Sequence, residues 1–381
     1  MTPRHLYLHV PFCARRCSDC DFAVTVAPRA PGRWWVEAVG AELSGLMEAR
    51  QWPAPLVLDT VYCGGGTPSL LDPGVMALLR ERLEPLARWG PEAEWTCEAN
   101  PESFTAEIAR AWAAAGVNRV SLGAQTFSSP ALRWMGRLHG PDGPAAAVAA
   151  ARAAGLANVS LDLIFALPTR LERDWGADLR RAAELEPEHI SLYGLTAEAA
   201  TPLGRQVRDG REQLADEEQY AAEYLEAAAR LEEYGYTAYE VSNFARPGRE
   251  CRHNQAYWLG RAYVGLGSGA HSFVPPERWW NVRDWPDYQA RLAAGTDTVA
   301  DRELLAADAA ELERLWLGLR QGAGLQRSSL GAGQRSLAAD WEARGWAWPD
   351  AQSVRLTPEG WLRLDALAVA LASAGQVAEP A

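Results

Sequence analysis

The feature that most constrains the fold is a regular alternation of short apolar segments with longer segments of helical spacing. Apolar runs such as 56–62 and 159–165 have the length of buried strands, and helical patterns such as residues 31–50 lie between them. The alternation occurs six times over about 200 residues. Such an order builds a parallel sheet covered by helices, and right-handed crossovers curl it toward a barrel. We therefore predict an α/β fold containing a partial (β/α)6 barrel.

Polar motifs directly follow several of these predicted strands. The motif GGGTPS follows the second strand, EANP ends the third with Glu98, and Asp162 lies late in the fifth. Functional residues of parallel barrels lie at the C-terminal ends of the strands, so we expect these motifs to converge on one mouth. The glycines can expose backbone N–H groups there, and the alternative is that they only form a tight turn from strand to helix. A carboxylate at the end of a buried strand needs a partner or a ligand.

Three of the six cysteines, Cys13, Cys17 and Cys20, lie on one polar loop with C-x3-C-x2-C spacing, after a strand that Pro11 ends. Cysteine thiolates hold [4Fe–4S] clusters, and three of them leave one iron open for another ligand. Zinc usually takes four ligands, and no second cysteine pair is present. A disulfide framework is not expected in a long chain whose other cysteines are scattered. The spacing alone favours a cluster over zinc modestly.

Composition excludes several classes of function. The chain has 49 acidic and 37 basic residues, a net charge of −12, which argues against general nucleic-acid binding. It contains no run of about 18 apolar residues that could span a membrane. No export signal precedes the first strand, and clustered thiols fit a reducing compartment, so we expect a cytoplasmic protein.

The alternation ends near residue 210. A helix is predicted over 214–233, and the segment 236–283 is rich in aromatic residues and glycine. In that segment, GLGSGAHS with His271 is predicted to form a close-packed turn at the barrel edge. The last part is predicted to be a smaller, mostly helical domain of winged-helix character. We place the division at 290, with a barrel domain over 1–290 and a C-terminal domain over 291–381.

Taken in order, these motifs resemble a known family. The C-x3-C-x2-C loop, GGGTPS, EANP, RVSLGAQTF, RLH and DLIFALP are similar to those of radical S-adenosylmethionine (SAM) proteins of the coproporphyrinogen-oxidase-like branch. The resemblance implies that Cys13, Cys17 and Cys20 bind a [4Fe–4S] cluster, whose open iron chelates SAM. In that family, reduction cleaves SAM to a 5′-deoxyadenosyl radical. The residues that the resemblance places around SAM are Tyr7, Gly65, Gly66, Thr67, Glu98, Gln125, Arg137 and Asp162. The family usually has an aromatic residue where this chain has Asp19, which puts a charge beside the cluster.

Two branches of that family differ at positions that can be compared with this sequence. The oxygen-independent coproporphyrinogen III dehydrogenases have a fourth cysteine where this chain has Phe22, and an extension before the cluster. Instead, the segment HNQAYW, beginning at His253, resembles the HNxxYW motif of the haem-chaperone (HemW) branch. That resemblance implies His253 as a haem-iron ligand, with Tyr257 and Trp258 against the macrocycle.

The residues of this segment allow other interpretations. Arg249 or Arg252 could pair with a haem propionate, and the thiolate of Cys251 is an alternative ligand. In a purely structural interpretation, His253 caps a turn while Tyr257 and Trp258 pack in the core.

The resemblance implies a haem chaperone that binds haem and passes it to acceptor haemoproteins, with a [4Fe–4S] cluster and SAM in the barrel. The alternative is an oxygen-independent coproporphyrinogen III dehydrogenase, which decarboxylates its substrate to protoporphyrinogen IX. By analogy with the family, a cluster-dependent homodimer is also expected.

Overall fold

The computed structural model describes residues 1–27 and 30–376 of the chain, and the side chain of residue 376 is outside the description. Its strands are β1 His5–Val10, β2 Phe12–Cys13, β3 Thr25–Val26, β4 Leu56–Gly65, β5 Ala87–Ala99, β6 Arg119–Gln125, β7 Asn158–Phe165, β8 His189–Gly194, β9 Thr237–Glu240, β10 Asn243–Ala245, β11 Tyr263–Leu266, β12 His271–Val274, β13 Glu277–Asn281, β14 Val299–Leu304, β15 Leu325–Gln326, β16 Ala347–Trp348 and β17 Ser353–Leu356. Its helices are α1 Gly32–Arg50, α2 Val75–Leu83, α3 Ala106–Ala115, α4 Ser129–Met135, α5 Gly143–Ala153, α6 Trp175–Glu184, α7 Pro202–Arg208, α8 Glu217–Glu233, α9 Arg252–Trp258, α10 Trp285–Ala293, α11 Ala307–Arg320, α12 Ala332–Ala343, α13 Pro358–Trp361 and α14 Leu364–Gln376.

The main sheet confirms the predicted α/β architecture. Six strands, in the order β1, β4, β5, β6, β7 and β8, pair in parallel, and helices connect them. On the outer side of β1 lies β11, also parallel, and on the outer side of β8 lies the antiparallel β10. Because β1 and β8 have these other neighbours, they do not pair with each other. The six strands therefore form a partial barrel.

The sequence forms these strands because the apolar side chains that alternate along them are buried. Leu6, Leu8 and Val10 of β1 are fully buried, as are Val120 and Leu122 of β6. Burying such a side chain stabilises the fold by about 1.5–3 kcal/mol. These apolar faces meet the helices that cover the sheet, and together they form one continuous core.

Side-chain caps fix where two of the covering helices begin. The Thr105 hydroxyl accepts a hydrogen bond from the Ile108 backbone N–H at the start of α3. The Asp174 carboxylate accepts one from the Ala177 N–H at the start of α6. Each cap contributes about 1 kcal/mol and fixes the crossover that leads to the next strand.

After the six-stranded core, the chain adds an antiparallel β-ribbon, made of β11 to β14, and a smaller helical unit. Strands β11 to β14 extend the main sheet through antiparallel pairs. Helices α11 to α14 and a three-stranded sheet of β15, β17 and β16 follow. The sheet thus takes its last strand from residues beyond 290, and the division at 290 stays a prediction. Among the described helices, none is both long and apolar enough to cross a membrane.

Candidate functional site

The C-terminal ends of the six parallel strands open into a cavity of about 1430 Å³. This exceeds the roughly 300–1,000 Å³ of a usual small-molecule site, so the cavity has room for more than one ligand. It brings together nearly all the candidate residues. Those that line it are Tyr7, Cys13, Cys17, Cys20, Gly65, Gly66, Thr67, Glu98, Gln125, Arg137, Asp162, Tyr257 and Trp258. His253 does not line it.

The three cysteines of the loop are partly exposed on one wall of this cavity. In residues 1–27 and 30–376, no three His, Cys, Asp or Glu side chains gather closely enough to hold a single metal ion. A [4Fe–4S] cube places each cysteine on a different iron, so its thiolates need not converge on one point. Burial, with smaller contributions from the neighbouring Cys17 and Cys13, raises the pKa of Cys20 to about 11. Bound iron would favour the thiolates that this environment disfavours, so the donor set fits such a cluster.

A chain of hydrogen bonds connects two of the cysteines through the strand ends. The Thr67 hydroxyl donates to Cys13 Sγ over 3.5 Å, and Asn100 Nδ2 donates to Thr67 Oγ1 over 3.2 Å. Arg137 completes the chain, donating from Nη2 to Asn100 Oδ1 over 2.6 Å and from Nη1 to Cys17 Sγ over 3.8 Å. Its buried Nε has no hydrogen-bond partner among the described residues. The guanidinium thus lies beside the cysteine loop with one donor left for an anionic group.

Asn100 was not among the residues predicted for the site. The signal was present in the sequence, because Asn100 is the third residue of EANP. Its side chain both accepts from Arg137 and donates to Thr67, so it sets the position of two predicted residues.

The glycines of GGGTPS that line the cavity do not expose their backbone N–H groups. The Gly65 N–H donates to Glu98 Oε2 over 2.9 Å, and the Gly66 N–H donates to the Val10 carbonyl over 2.8 Å. A Cβ on Gly66 would lie 2.6 Å from the Val10 and Phe12 carbonyl oxygens. The glycine therefore gives room for the start of the cysteine loop to cross the end of β4.

Two carboxylates face the cavity at the ends of β5 and β7. Glu98 accepts hydrogen bonds from Gly65 and from the Tyr62 hydroxyl, the latter over 2.9 Å. Burial, and next the negative charge of Asp162, raise the pKa of Glu98 to about 7. Burial also raises the pKa of Asp162, whose carboxylate accepts from Ser121. Such carboxylates favour a ligand with N–H or O–H donors or a positive charge, and an ammonium or a ribose has these properties.

His253 is buried in this conformation, with both ring nitrogens engaged, and its role as a haem-iron ligand stays a prediction. Its Nδ1 lies 2.6 Å from Thr60 Oγ1, and its Nε2 lies 2.7 Å from the Tyr257 hydroxyl. The ring stacks on Tyr62 at a centroid distance of 5.2 Å. Burial lowers the pKa of His253 to about 3. In this conformation His253 contacts the Tyr257 hydroxyl and does not itself line the cavity.

The rest of the HNxxYW segment forms the short helix α9, which is attached to the barrel by Glu94. That buried carboxylate accepts from the backbone N–H groups of Arg252 and His253, both over 3.1 Å. Cys251 is fully buried, and burial raises the pKa of its thiol to about 12, which makes it a poor thiolate ligand. Neither Arg249 nor Arg252 lines the cavity. Only the far end of α9, with Tyr257 and Trp258, reaches the cavity wall.

The partial parallel barrel and a three-cysteine loop at its mouth define a class of protein. Residues 7–182 match the Radical SAM superfamily, and the chain has the fold of that superfamily. The solved structure of coproporphyrinogen III oxidase (HemN) from Escherichia coli superposes with a TM-score of 0.82 over 98% of this chain and 90% of that one. At 22% identity, that likeness establishes the fold alone.

More similar sequences narrow the class to one family. The chain is 40% identical to heme chaperone HemW of Mycobacterium tuberculosis, over 96% of this chain and 94% of that protein. It is 32% identical to heme chaperone HemW of Bacillus subtilis, covering 84% of each chain. For heme chaperone HemW of Escherichia coli the identity is 36%, covering 73% of this chain and 71% of that one. The chain belongs to the HemW family.

Proposed function

We propose that this protein binds haem and transfers it to acceptor haemoproteins, and that its barrel holds a [4Fe–4S] cluster and SAM. The observation that supports this most is the single cavity, which joins the three cysteines to an aromatic wall from α9. A flat apolar macrocycle requires such a wall, and a cluster requires the thiols. We propose the cytoplasm as its compartment, because all six cysteines are unpaired thiols.

The polar half of the cavity would hold the cluster and SAM. Cys13, Cys17 and Cys20 would be the cluster ligands, and the cluster supplies an open iron and an electron when it is bound. Arg137 suits the carboxylate of SAM, since its Nε is without a partner in the described part of the chain. Glu98 and Asp162 suit its ammonium and ribose. The remaining residues proposed to surround SAM are Tyr7, Gly65, Gly66, Thr67 and Gln125, all on the cavity wall.

The first test separates a haem chaperone from a porphyrinogen enzyme. The full chain is reconstituted anaerobically with iron and sulfide, then given haem or, separately, coproporphyrinogen III with SAM and a reductant. We expect about one haem per chain, transfer of that haem to an added apo-haemoprotein, and no protoporphyrinogen IX. Formation of protoporphyrinogen IX coupled to 5′-deoxyadenosine would instead establish the coproporphyrinogen III dehydrogenase activity.

We also propose a homodimer that depends on the cluster. Phe22 and Val26, at the end of the cysteine loop and just beyond it, are 61% and 55% exposed. Exposed apolar side chains at this position favour association, and the cluster would order the loop that presents them. Light scattering of the apo and reconstituted chain tests this proposal, which requires a larger mass only for the reconstituted form.

A further inference from the structure

Two neighbouring strands of the barrel end in residues whose backbone is in the left-handed conformation. Gln125, the last residue of β6, has a φ of 64°, and Ala166, directly after β7, has a φ of 57°. For residues other than glycine this conformation costs about 1–3 kcal/mol and persists only where surrounding contacts hold it. Gln125 lines the cavity, as do Asp162 and Ile164 of β7. The two turns therefore lie at the cavity wall and need contacts that hold them.

A carboxylate from a covering helix holds each of these turns. Asp178 of α6 accepts hydrogen bonds from the Thr126 hydroxyl over 2.5 Å and from the Phe127 backbone N–H over 2.9 Å. Glu223 of α8 accepts one from the Ala166 backbone N–H over 2.7 Å. The covering helices thus fix the backbone of both turns through these two carboxylates.

One arginine, Arg173, joins the two carboxylates. It donates from Nη2 to Glu223, and its Nη1 lies 3.5 Å from Asp178 Oδ2. The same Nη1 donates to the Ile164 carbonyl of β7 over 3.5 Å. The Arg173 and Asp178 side chains are only 3% and 4% exposed. Removing one partner of a buried ion pair leaves an uncompensated charge, so both carboxylates depend on the same guanidinium.

This network acts on the cavity from outside it. Arg173, Asp178 and Glu223 do not line the cavity wall, so their side chains do not contact a ligand there. They reach the cavity only through the backbone of the turns after β6 and β7. A change in that backbone moves the side chain of Gln125, which is one of the residues proposed to surround SAM.

We propose that Arg173 is a positioning residue for SAM, and that it holds the ends of β6 and β7 in the conformation that binds SAM. Without the shared cation, the two carboxylates are left buried and uncompensated. The turns at Gln125 and Ala166 then relax toward ordinary backbone conformations, because the contacts that offset their cost are weakened. This inference rests on the proposed SAM binding, and it names the group behind the cavity wall that sets the shape of that site.

The test measures SAM binding to the reconstituted full chain by equilibrium dialysis. R173M removes the charge and keeps most of the side-chain volume, and we expect its SAM dissociation constant to rise about tenfold, because the binding conformation is no longer the favoured one. In R173K we expect partial recovery, since lysine returns the charge without the planar fork. The change that SAM causes in the electron paramagnetic resonance spectrum of the reduced cluster should require about ten times more SAM in R173M.

R327M is the control variant. Arg327 also forms a largely buried ion pair, with Glu342, and its side chain is 17% exposed, but it belongs to the C-terminal unit and does not line the cavity. Its SAM affinity should stay that of the wild type. Iron content and circular dichroism establish that each variant is folded and loaded. If R173M does not fold, D178N takes its place, because its amide oxygen can still accept from the Phe127 N–H, and its SAM affinity should fall in the same direction.

The outcomes separate this inference from the proposed function. If the wild type binds SAM and R173M and D178N bind it equally tightly, Arg173 does not position the site, while SAM binding stands. An equal loss of SAM affinity in R327M would show general destabilisation and would also overturn the inference. If the reconstituted wild type binds no SAM, the proposed function fails at that point, and the inference fails with it.

Discussion

At the scale of single residues, the structure separates two histidines that the sequence does not distinguish by type. His253 belongs to a recognisable motif, yet its ring is buried between Thr60 and Tyr257. His271 begins β12, directly after a glycine-rich turn, and lines the cavity as an exposed residue. A motif shows that a residue is constrained, but the physical reason depends on what surrounds the side chain. For His253 that surrounding is closed to water, and its burial favours the uncharged imidazole.

This burial predicts a pH dependence of stability that originates at His253. Its pKa is about 3 in the folded chain, while the unfolded chain has the ordinary value of about 6.5. Between these values the unfolded state binds the extra proton, so the free energy of unfolding falls as the pH drops below 6.5. From pH 7 to pH 5 the loss from this group is about 2 kcal/mol. In H253Q the loss over that range should be smaller by about this amount, measured by urea denaturation.

A second buried histidine gives an independent check on this prediction. Burial lowers the pKa of His189 well below its ordinary value, so H189Q should reduce the pH dependence in the same direction. Parallel pH profiles for H253Q and the wild type would show that His253 is not held neutral in the folded chain.

At the scale of elements, the strand ends could be predicted better than the strand lengths. Apolar runs identify buried strands because those side chains must leave water, and all six were found. β5 nevertheless begins at Ala87, well before the part of the strand that EANP ends. The reason is tertiary, since residues 87–89 pair with 56–58 of β4. A polar segment that becomes a strand through a neighbour leaves no periodicity in its own sequence.

The candidate site, too, could be predicted only in part: the sequence was enough to name most of its residues but not their contacts. Strand ends and motifs were sufficient to name the residues that meet in the cavity, because a parallel barrel brings its strand ends to one side. They did not show that Asn100 joins Arg137 to Thr67, or that His271 faces the cavity from the ribbon. Both depend on side-chain direction and on contacts between distant segments, which one sequence does not encode in its spacing.

The glycine loop after β4 gives a prediction about how the cysteine loop is positioned. In G66A the new Cβ would meet the Val10 and Phe12 carbonyl oxygens at 2.6 Å. The start of the cysteine loop must then move, and we expect fewer than half of the about four iron atoms per chain after reconstitution. Iron and sulfide analysis with electron paramagnetic resonance measures this. G74A is the matched control, because its Cβ would meet nothing within 4 Å, and equal iron contents for the two variants would contradict the prediction.

At the scale of the whole molecule, the C-terminal helices are part of the cavity as well as a neighbour of the barrel. Arg320 of α11 forms a 2.7 Å ion pair with Glu240 of β9, and the Glu240 side chain is fully buried. The guanidinium of Arg320 lies 4.2 Å from the Trp258 ring centroid. Gln321 donates to the Trp258 carbonyl over 3.0 Å. These contacts attach α11 to the end of α9. The attachment sets the width of the cavity at this end, because α11 supplies part of its wall.

The last prediction follows from this attachment. In R320A the buried Glu240 loses its counter-charge, so the free energy of unfolding should fall by roughly 3 kcal/mol. Haem affinity should fall with it, since α11 would no longer be held against Trp258. R314A removes an exposed arginine of the same helix, paired with Glu311, and should cost no more than about 1 kcal/mol. Denaturation and haem titration of both variants measure the two effects. A destabilised R320A that binds haem as tightly as R314A would show that the docking of α11 does not shape the part of the cavity that would hold haem.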